Sequence, residues 1–182
     1  MTRMPPRLIG LTGTNGAGKG EAAAYFQGKG YGYFSLSDVI RDELRGRGEP
    51  ASRDNLIRTG NELRRRFGPD VLARRTAAKV KAGERAVIDS IRNLQEIAYL
   101  RAQRDFILVA IDAPVETRFA RVAARGRDES APDLEAFRKK EEEERAGGAA
   151  AQQLEACMGA ADRVIFNDGT LPEFHRKLEE VA

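Results

Sequence analysis

Cysteine and histidine are almost missing from this chain. One cysteine (Cys157) and one histidine (His175) occur in 182 residues. A lone cysteine closes no internal disulfide, and one of each is too few for a Cys/His zinc site. Catalytic triads built on those residues are equally out of reach. Cys157 therefore reads as a small core residue. His175, set among charges near the C-terminus, reads as a surface helix residue. Long apolar runs are missing as well: nothing approaches the roughly 20 residues of a membrane span. The basic opening MTRMPPR has no apolar run of the kind a secretory signal carries. A cytoplasmic protein with no membrane partner is the expectation, and the oligomeric state is unreadable.

What the chain does have is 41% apolar and 32% charged residues, a mix that suits one soluble domain with a real core. The net charge is +3. Its cations are mostly arginine, the residue best shaped to grip planar anions such as phosphates.

Strand and helix signals alternate along the whole length. "RLIGLTG", "YGYFSLS", "RAVIDS", "DFILVAIDA" and "DRVIFND" are short apolar or aromatic runs that read as strands. Between them lie helix patterns: Gly18 to Lys29; Asp38 to about Arg47, capped by Ser37; "SRDNLIRTGNELRRRF", ended by Gly68-Pro69; "PDVLARRTAAKVKAG", from its proline to Gly83; "NLQEIAYLRAQ"; "PVETRFARVAARG"; and the closing "TLPEFHRKLEEVA". This alternation implies a parallel sheet covered on both faces. Residues 128–161 are charged and alanine-rich without a strand signal. The run "RKKEEEERAGG" there reads either as a solvated helix or as a lid that closes over a charged ligand.

"IGLTGTNGAGKGE" carries the chemistry. Gly13, Gly18 and Lys19 fit G-x-x-x-x-G-K, and the loop follows a strand and opens a helix, the setting that gives the pattern its meaning. Backbone N–H groups in such a turn converge on one point, and the helix N-terminus adds positive potential. Gly16 and Gly18 would let the backbone approach phosphate oxygens, with Lys19 reaching the terminal ones. Gly13, Thr14, Asn15, Gly16, Ala17, Gly18, Lys19, Gly20 and Glu21 are thus candidate nucleotide contacts. Such loops usually continue with Ser or Thr, whose hydroxyl holds magnesium. Here Gly20 and Glu21 follow. Glu21 would either meet magnesium through water or serve as a first-turn acid favoured by the helix dipole.

The G-K-G form resembles nucleoside-monophosphate kinases such as adenylate kinase, although a Thr follows the second glycine there and Glu21 departs from it. "SLSDVIR" looks like their acceptor-binding segment, with Asp38 three residues before Arg41. "VIDSIR" looks like their third strand, ending in Asp89 with Arg92 close behind; adenylate kinases have a segment one residue longer there. "DAPVETRFARVAARGR" and "ADRVIFNDGTLPEFHRKL" are similar to the fourth strand, lid-entry helix and C-terminal strand and helix of dephospho-CoA kinases. The whole order, with "SRDNLIRTGNELRRRFGP", looks most like dephospho-CoA-kinase-like proteins and the kinase-like domain fused to some deoxycytidylate deaminases. The deaminase motifs H-x-E and P-C-x-x-C are absent. The resemblance implies a three-layer α/β P-loop kinase domain. It would have a five-stranded parallel sheet in the order 2-3-1-4-5 and a core of residues 7–37, 84–125 and 160–182. An acceptor-binding helical insert would span about 38–83 and a lid about 126–159. ATP and Mg2+ are the implied cofactors.

Phosphoryl transfer asks a protein mainly for alignment and charge neutralisation. Lys19 would hold the donor phosphates. Arg118, Arg121 and Arg125 recur at i, i+3 and i+7 and share one helix face. By the resemblance, Arg121, Asn167 and Gly169 would lie by the adenine, while Arg125, with Arg127, would close on the phosphates. Asp89, at the C-terminal end of a central strand, would anchor water-bound magnesium or a substrate. Arg41 and Arg92 would grip an anionic acceptor. Asp38 would help if that acceptor were a hydroxyl, since an acceptor phosphate needs no general base. The expected activity is ATP-dependent phosphotransfer to a nucleotide or nucleotide-like acceptor, of deoxynucleoside monophosphate or dephospho-CoA type. Two alternatives stand beside it: a nucleotide-binding regulatory module without catalysis, and a kinase acting on a modified base in DNA. The Arg64-Arg65-Arg66 triplet would suit a nucleic-acid strand, but a solvated helix flank is the preferred reading.

Overall fold

The apolar run that opens the chain becomes the centre of a sheet. The computed structural model describes residues 7–103, 105–125, 131–146 and 149–181. Strand β1 (Leu8–Gly13) leads into α1 (Lys19–Gly28), β2 (Gly32–Ser35) and three helices, α2 (Leu36–Arg47), α3 (Arg53–Phe67) and α4 (Val71–Ala77). Then come β3 (Ala86–Asp89), α5 (Leu94–Ala102), β4 (Phe106–Asp112), α6 (Val115–Ala124), α7 (Leu134–Ala146), α8 (Ala149–Gly159), β5 (Arg163–Phe166) and α9 (Leu171–Glu179). The sheet order is β2-β3-β1-β4-β5, and every pairing is parallel. This is the expected three-layer α/β architecture.

Alternation along the strands feeds two cores. Ile9, Leu11, Val87, Val109 and Ile111 face Phe26 of α1 and Phe174 and Leu178 of α9. Leu8, Ala86, Ile88 and Leu108 face the other way, onto Leu36 and Leu44 of α2, Leu63, Leu72 and Leu100. Cys157 is buried in this second cluster, as expected, and burial pushes its thiol up to about 11. Each fully buried Leu, Ile or Phe contributes about 1.5–3 kcal/mol. Because β1 sits between β3 and β4, the chain leaves its C-terminal end in a crevice where the strand order reverses, the place where open parallel sheets bind ligands.

Three local expectations change. First, α2 begins at Leu36, directly from β2, so Ser35 takes the N-cap position and Ser37 lies in the first turn. Second, the helix after Pro69 runs only from Val71 to Ala77; Lys79 N–H and Val80 N–H turn to the carbonyls three residues back, and Gly83 adopts a φ of 80°. Third, Arg64 is not a solvated flank. Its Nη2 lies 3.0 Å from Glu96 Oε1, and Glu96 is fully buried. Glu96 Oε2 also accepts the N–H groups of Arg92 (2.9 Å) and Asn93 (3.2 Å), while Asn93 Oδ1 accepts the N–H of Glu96 at 2.8 Å, a reciprocal capping box. Asn93 Nδ2 reaches the Pro69 carbonyl at 3.2 Å. One carboxylate therefore ties the helical insert to the loop after β3.

Removing one partner of a buried pair strands the other. Glu96→Ala should lower stability by about 3–5 kcal/mol in urea unfolding. Glu62→Ala, which breaks an exposed contact with Arg47, should cost less than about 1 kcal/mol.

Candidate functional site

The loop after β1 is shaped by what holds its carbonyls. Lys19 Nζ donates to the carbonyls of Gly13 (2.9 Å) and Thr14 (2.7 Å). Arg118 Nη1 donates to Asn15 O at 3.4 Å, and Arg121 Nη1 to Gly16 O at 3.4 Å and Ala17 O at 3.1 Å. The Asn167 amide adds a 2.8 Å bond to Ala17 O. With the carbonyls engaged on one side, the amides turn to the other, except the Ala17 N–H, which donates to Thr14 O at 3.3 Å. The first-turn N–H groups of α1 have no intrahelical partners, and no side chain caps them. The result is a nest with a bias toward anions.

Gly16 and Gly18 clear space for protein rather than for ligand. A Cβ on Gly16 would lie 2.8 Å from the Arg118 carbonyl oxygen, and one on Gly18 would lie 2.5 Å from Asn167 Nδ2. Both also have positive φ, 77° and 113°. Their bareness lets α6 and the end of β5 press on the loop and reach its carbonyls. Gly20 is different: a Cβ there would meet nothing within 4 Å. The hydroxyl usual at that position is absent without any steric reason.

Lys19 is part-buried, and its pKa falls to about 8. Burial is the main cause; Asp89 opposes it, and Arg92, Arg125 and Arg118 reinforce it. Asp89, Arg92 and Arg125 are thus within electrostatic range of the ammonium group. Asp89 ends β3, accepting the Ser90 N–H on Oδ1 at 2.6 Å and the Tyr33 hydroxyl on Oδ2 at 3.3 Å. Among the described residues, no hydrogen bond or ion pair engages the guanidinium of Arg92 or Arg125, and both are exposed.

The remaining expected residues have other duties. Thr14 Oγ1 donates to Asp112 Oδ1 at 2.7 Å. Asn167 is buried and Gly169 exposed, at the entrance to α9. Arg121 Nη2 also meets the Asn167 carbonyl at 3.4 Å, so the two base-side candidates touch. Glu21 Oε1 lies 2.8 Å from His175 Nε2, linking α1 to α9. Arg41 Nη1 donates to Asp38 Oδ1 at 3.0 Å and Ser37 Oγ at 2.7 Å. The arginine stripe of α6 is graded: Arg118 is buried and paired with Glu141 of α7, Arg121 is half-buried, and Arg125 is exposed. Arg127 lies outside the described residues.

Sequence reasoning missed Asp112, Tyr33, Ser35, Ser37 as a contact residue, and Ser90. Ser35 Oγ lies 2.8 Å from Ser37 Oγ and 3.0 Å from Ser90 Oγ. The "SLS" and "DS" strand ends carried that signal. Among the described residues, no cluster of three or more His, Cys, Asp or Glu forms a ready metal cage. No helix there is long and apolar enough to cross a membrane.

The AAA domain family matches residues 9–147. A UPF0200 protein of Methanothrix thermoacetophila is 36% identical over 179 residues, 96% of each chain. UPF0200 protein PH1008 of Pyrococcus horikoshii is 33% identical, across 96% of this chain and 95% of that one. The chain belongs to the AAA domain and UPF0200 families. Solved structures show the same fold for this UPF0200 chain. TT1252 from Thermus thermophilus matches with a TM-score of 0.58 and 24% identity, covering 98% of this chain and 97% of that one. A gluconokinase from Sinorhizobium meliloti matches at 0.56 with 15% identity (97% and 91%), and a shikimate kinase from Acinetobacter baumannii at 0.58 with 16% (98% and 91%). The fold is that of P-loop kinases.

Lys19 supplies a pH test. The free protein holds it charged below about 8. A bound polyanion favours the charged form, so binding above that pH takes up a proton. Tripolyphosphate titrates in the same range, so the comparison is with Lys19→Met: the affinity advantage of the original protein should shrink as pH rises beyond about 8. Calorimetry in two buffers of different protonation enthalpy should show the original protein taking up more protons per ligand than that variant, the difference approaching one.

Proposed function

We propose that this chain is an ATP-dependent phosphotransferase that moves the γ-phosphate to a nucleotide or nucleotide-like small acceptor. The observation that supports it best is the uncapped start of α1 at the C-terminal end of β1, with Lys19 folded back onto the carbonyls of Gly13 and Thr14 and Asp89 ending the neighbouring strand β3. A cationic, preorganised pocket with one carboxylate is what a transferring phosphoryl group requires.

In this reading the loop amides and Lys19 hold the β- and γ-phosphates. Lys19 exchanges its two carbonyl partners for phosphate oxygens. Arg125, at the end of the lid-entry helix, closes on the phosphates; Arg121, Asn167 and Gly169 border the base. Asp89 is the residue fitted to hold magnesium through water, which would neutralise charge on the transferred group. Glu21 is less fitted, since its carboxylate already meets His175. Arg92 and Arg41 bind the acceptor opposite the donor, with Asp38 beside them. The deoxynucleoside monophosphates and dephospho-CoA are the acceptors to try first.

A second reading, a nucleotide-binding module without transfer, draws on the bare Gly20 and the engaged Glu21. A thermal-shift panel of ATP, ADP and GTP with magnesium, joined to an assay of acceptor-dependent ADP formation, separates the two. Binding raises the melting temperature by mass action in either case. Only the kinase makes ADP that depends on the acceptor.

Lys19→Ala should weaken ATP binding and cut transfer by about 10²–10³-fold, the range for losing one charge-stabilising donor. Unchanged turnover would remove it from the site. Arg41→Ala should raise the KM for the acceptor while leaving that for ATP near its original value, as steady-state kinetics would read.

A further inference from the structure

Charge is unevenly spread along the chain. Residues 36–85, between β2 and β3, hold 13 Lys and Arg against 8 Asp and Glu, a net +5. The rest of the chain holds 18 against 20, a net −2. A basic segment on a body of the opposite sign is the electrostatic footprint of an anionic partner.

Within that segment the excess gathers around the end of α3. Residues 64–75 hold five arginines and one acid, Asp70. Arg64 is held by the buried Glu96, and Arg74 lies 3.7 Å from Asp70. Arg75 lies 3.7 Å from Glu43, a carboxylate that Arg47 already engages at 3.0 Å. Arg65 and Arg66 are exposed, and among the described residues no hydrogen bond or ion pair engages either. The helix dipole accounts for cations in this last turn. It does not account for Phe67. That ring is 41% exposed, and the guanidinium carbons of Arg66 and Arg75 lie 5.0 and 4.8 Å from its centre. Two cations are drawn together on one open aromatic ring, where a nearby anion would offset their repulsion. The surface continues toward the sheet crevice. The Pro69 carbonyl, two residues beyond Phe67, accepts Asn93 Nδ2 at 3.2 Å, and Arg92 beside it is exposed.

A phosphate patch needs only the cations. Cations interleaved with an exposed ring suit unpaired bases as well: phosphates meet the guanidinium groups, while base faces stack on the ring and on guanidinium planes. A duplex keeps its base faces stacked on one another, and an acidic peptide has few flat rings to offer. We infer that Arg65, Arg66, Phe67 and Arg75, continued by Arg92, form a docking surface for single-stranded nucleic acid. The surface stands apart from the glycine-lysine loop, so it does not rest on the kinase reading.

The test uses the full chain and fluorescein-labelled strands of RNA and of DNA, about 16 nucleotides long and of mixed sequence. Anisotropy follows binding from low to physiological salt. At least one of the two strands should bind, with log Kobs falling by about 2–3 per tenfold rise in salt, as for three or four neutralised phosphates. Arg65→Ala and Arg66→Ala should each weaken binding and flatten that slope by about 0.7. Phe67→Ala should weaken binding by about tenfold and leave the slope unchanged, since it removes a stack and no charge. All three positions are exposed, so the melting temperature should stay near its original value. The variants should also bind ATP as the original does. Neither strand bound at low salt, or equal affinity for the annealed duplex, would overturn the proposal. So would Phe67→Ala binding as tightly as the original, which would leave a patch for polyanions in general. Loss of ATP and strand together in a variant would overturn the assignment to a separate surface. An original protein that binds the strand but not ATP would sink the kinase reading and leave this one standing.

Discussion

Every carbonyl from residue 13 to residue 17 accepts a hydrogen bond from a side chain. Lys19 takes the first two, Arg118 the third, Arg121 the fourth, and Arg121 with Asn167 the fifth. These are mostly charge-assisted bonds, stronger than neutral ones. A peptide unit whose oxygen is fixed has its N–H fixed in the opposite direction, because the unit is planar. The outward aim of the loop's amides is therefore a consequence of the protein's grip on the other face. It also explains why the loop's bare glycines abut α6 and Asn167: the gripping groups must come within bonding distance of the backbone.

That grip extends outward in two directions. Arg118 holds Asn15 through Nη1 and Glu141 of α7 through Nη1 and Nη2. Helix α7 is thereby linked to the loop by one buried cation. Across the sheet edge, Glu96 links α3, through Arg64, to the backbone of Arg92 and Asn93. Movement of the insert would be felt by the segment that carries Asp89 and Arg92. Both joints are charged groups shielded from water, where a lost partner costs far more than at the surface.

The sequence was legible wherever one physical signal dominated. Apolar strands alternating with helix patterns led to the parallel sheet, and the glycine-lysine loop led to its crevice. The ends of helices were read less well. Ser37 looked like a cap, but the chain turns from β2 into α2 two residues sooner, and α4 stops where its ladder tightens. Arginines were the hardest. Arg64 looks like a surface charge in a one-dimensional pattern and Arg118 and Arg121 like a ligand-facing stripe, since only tertiary packing supplies Glu96, Glu141 and the loop carbonyls that they meet. The serine chain was hidden for the same reason: its members come from the ends of two strands and the first turn of a helix, 55 residues apart between Ser35 and Ser90.

The lone imidazole sits against Glu21 in the opening turn of α1, with the Tyr25 ring 4.9 Å from its own. Since the chain has no other histidine, its ring protons stand alone in an ordinary proton spectrum, displaced by the neighbouring aromatic. Nature has thus placed a single unlabelled reporter one turn from the glycine-lysine loop, where any shift in the seam between the first and last helices registers without isotopes or dyes.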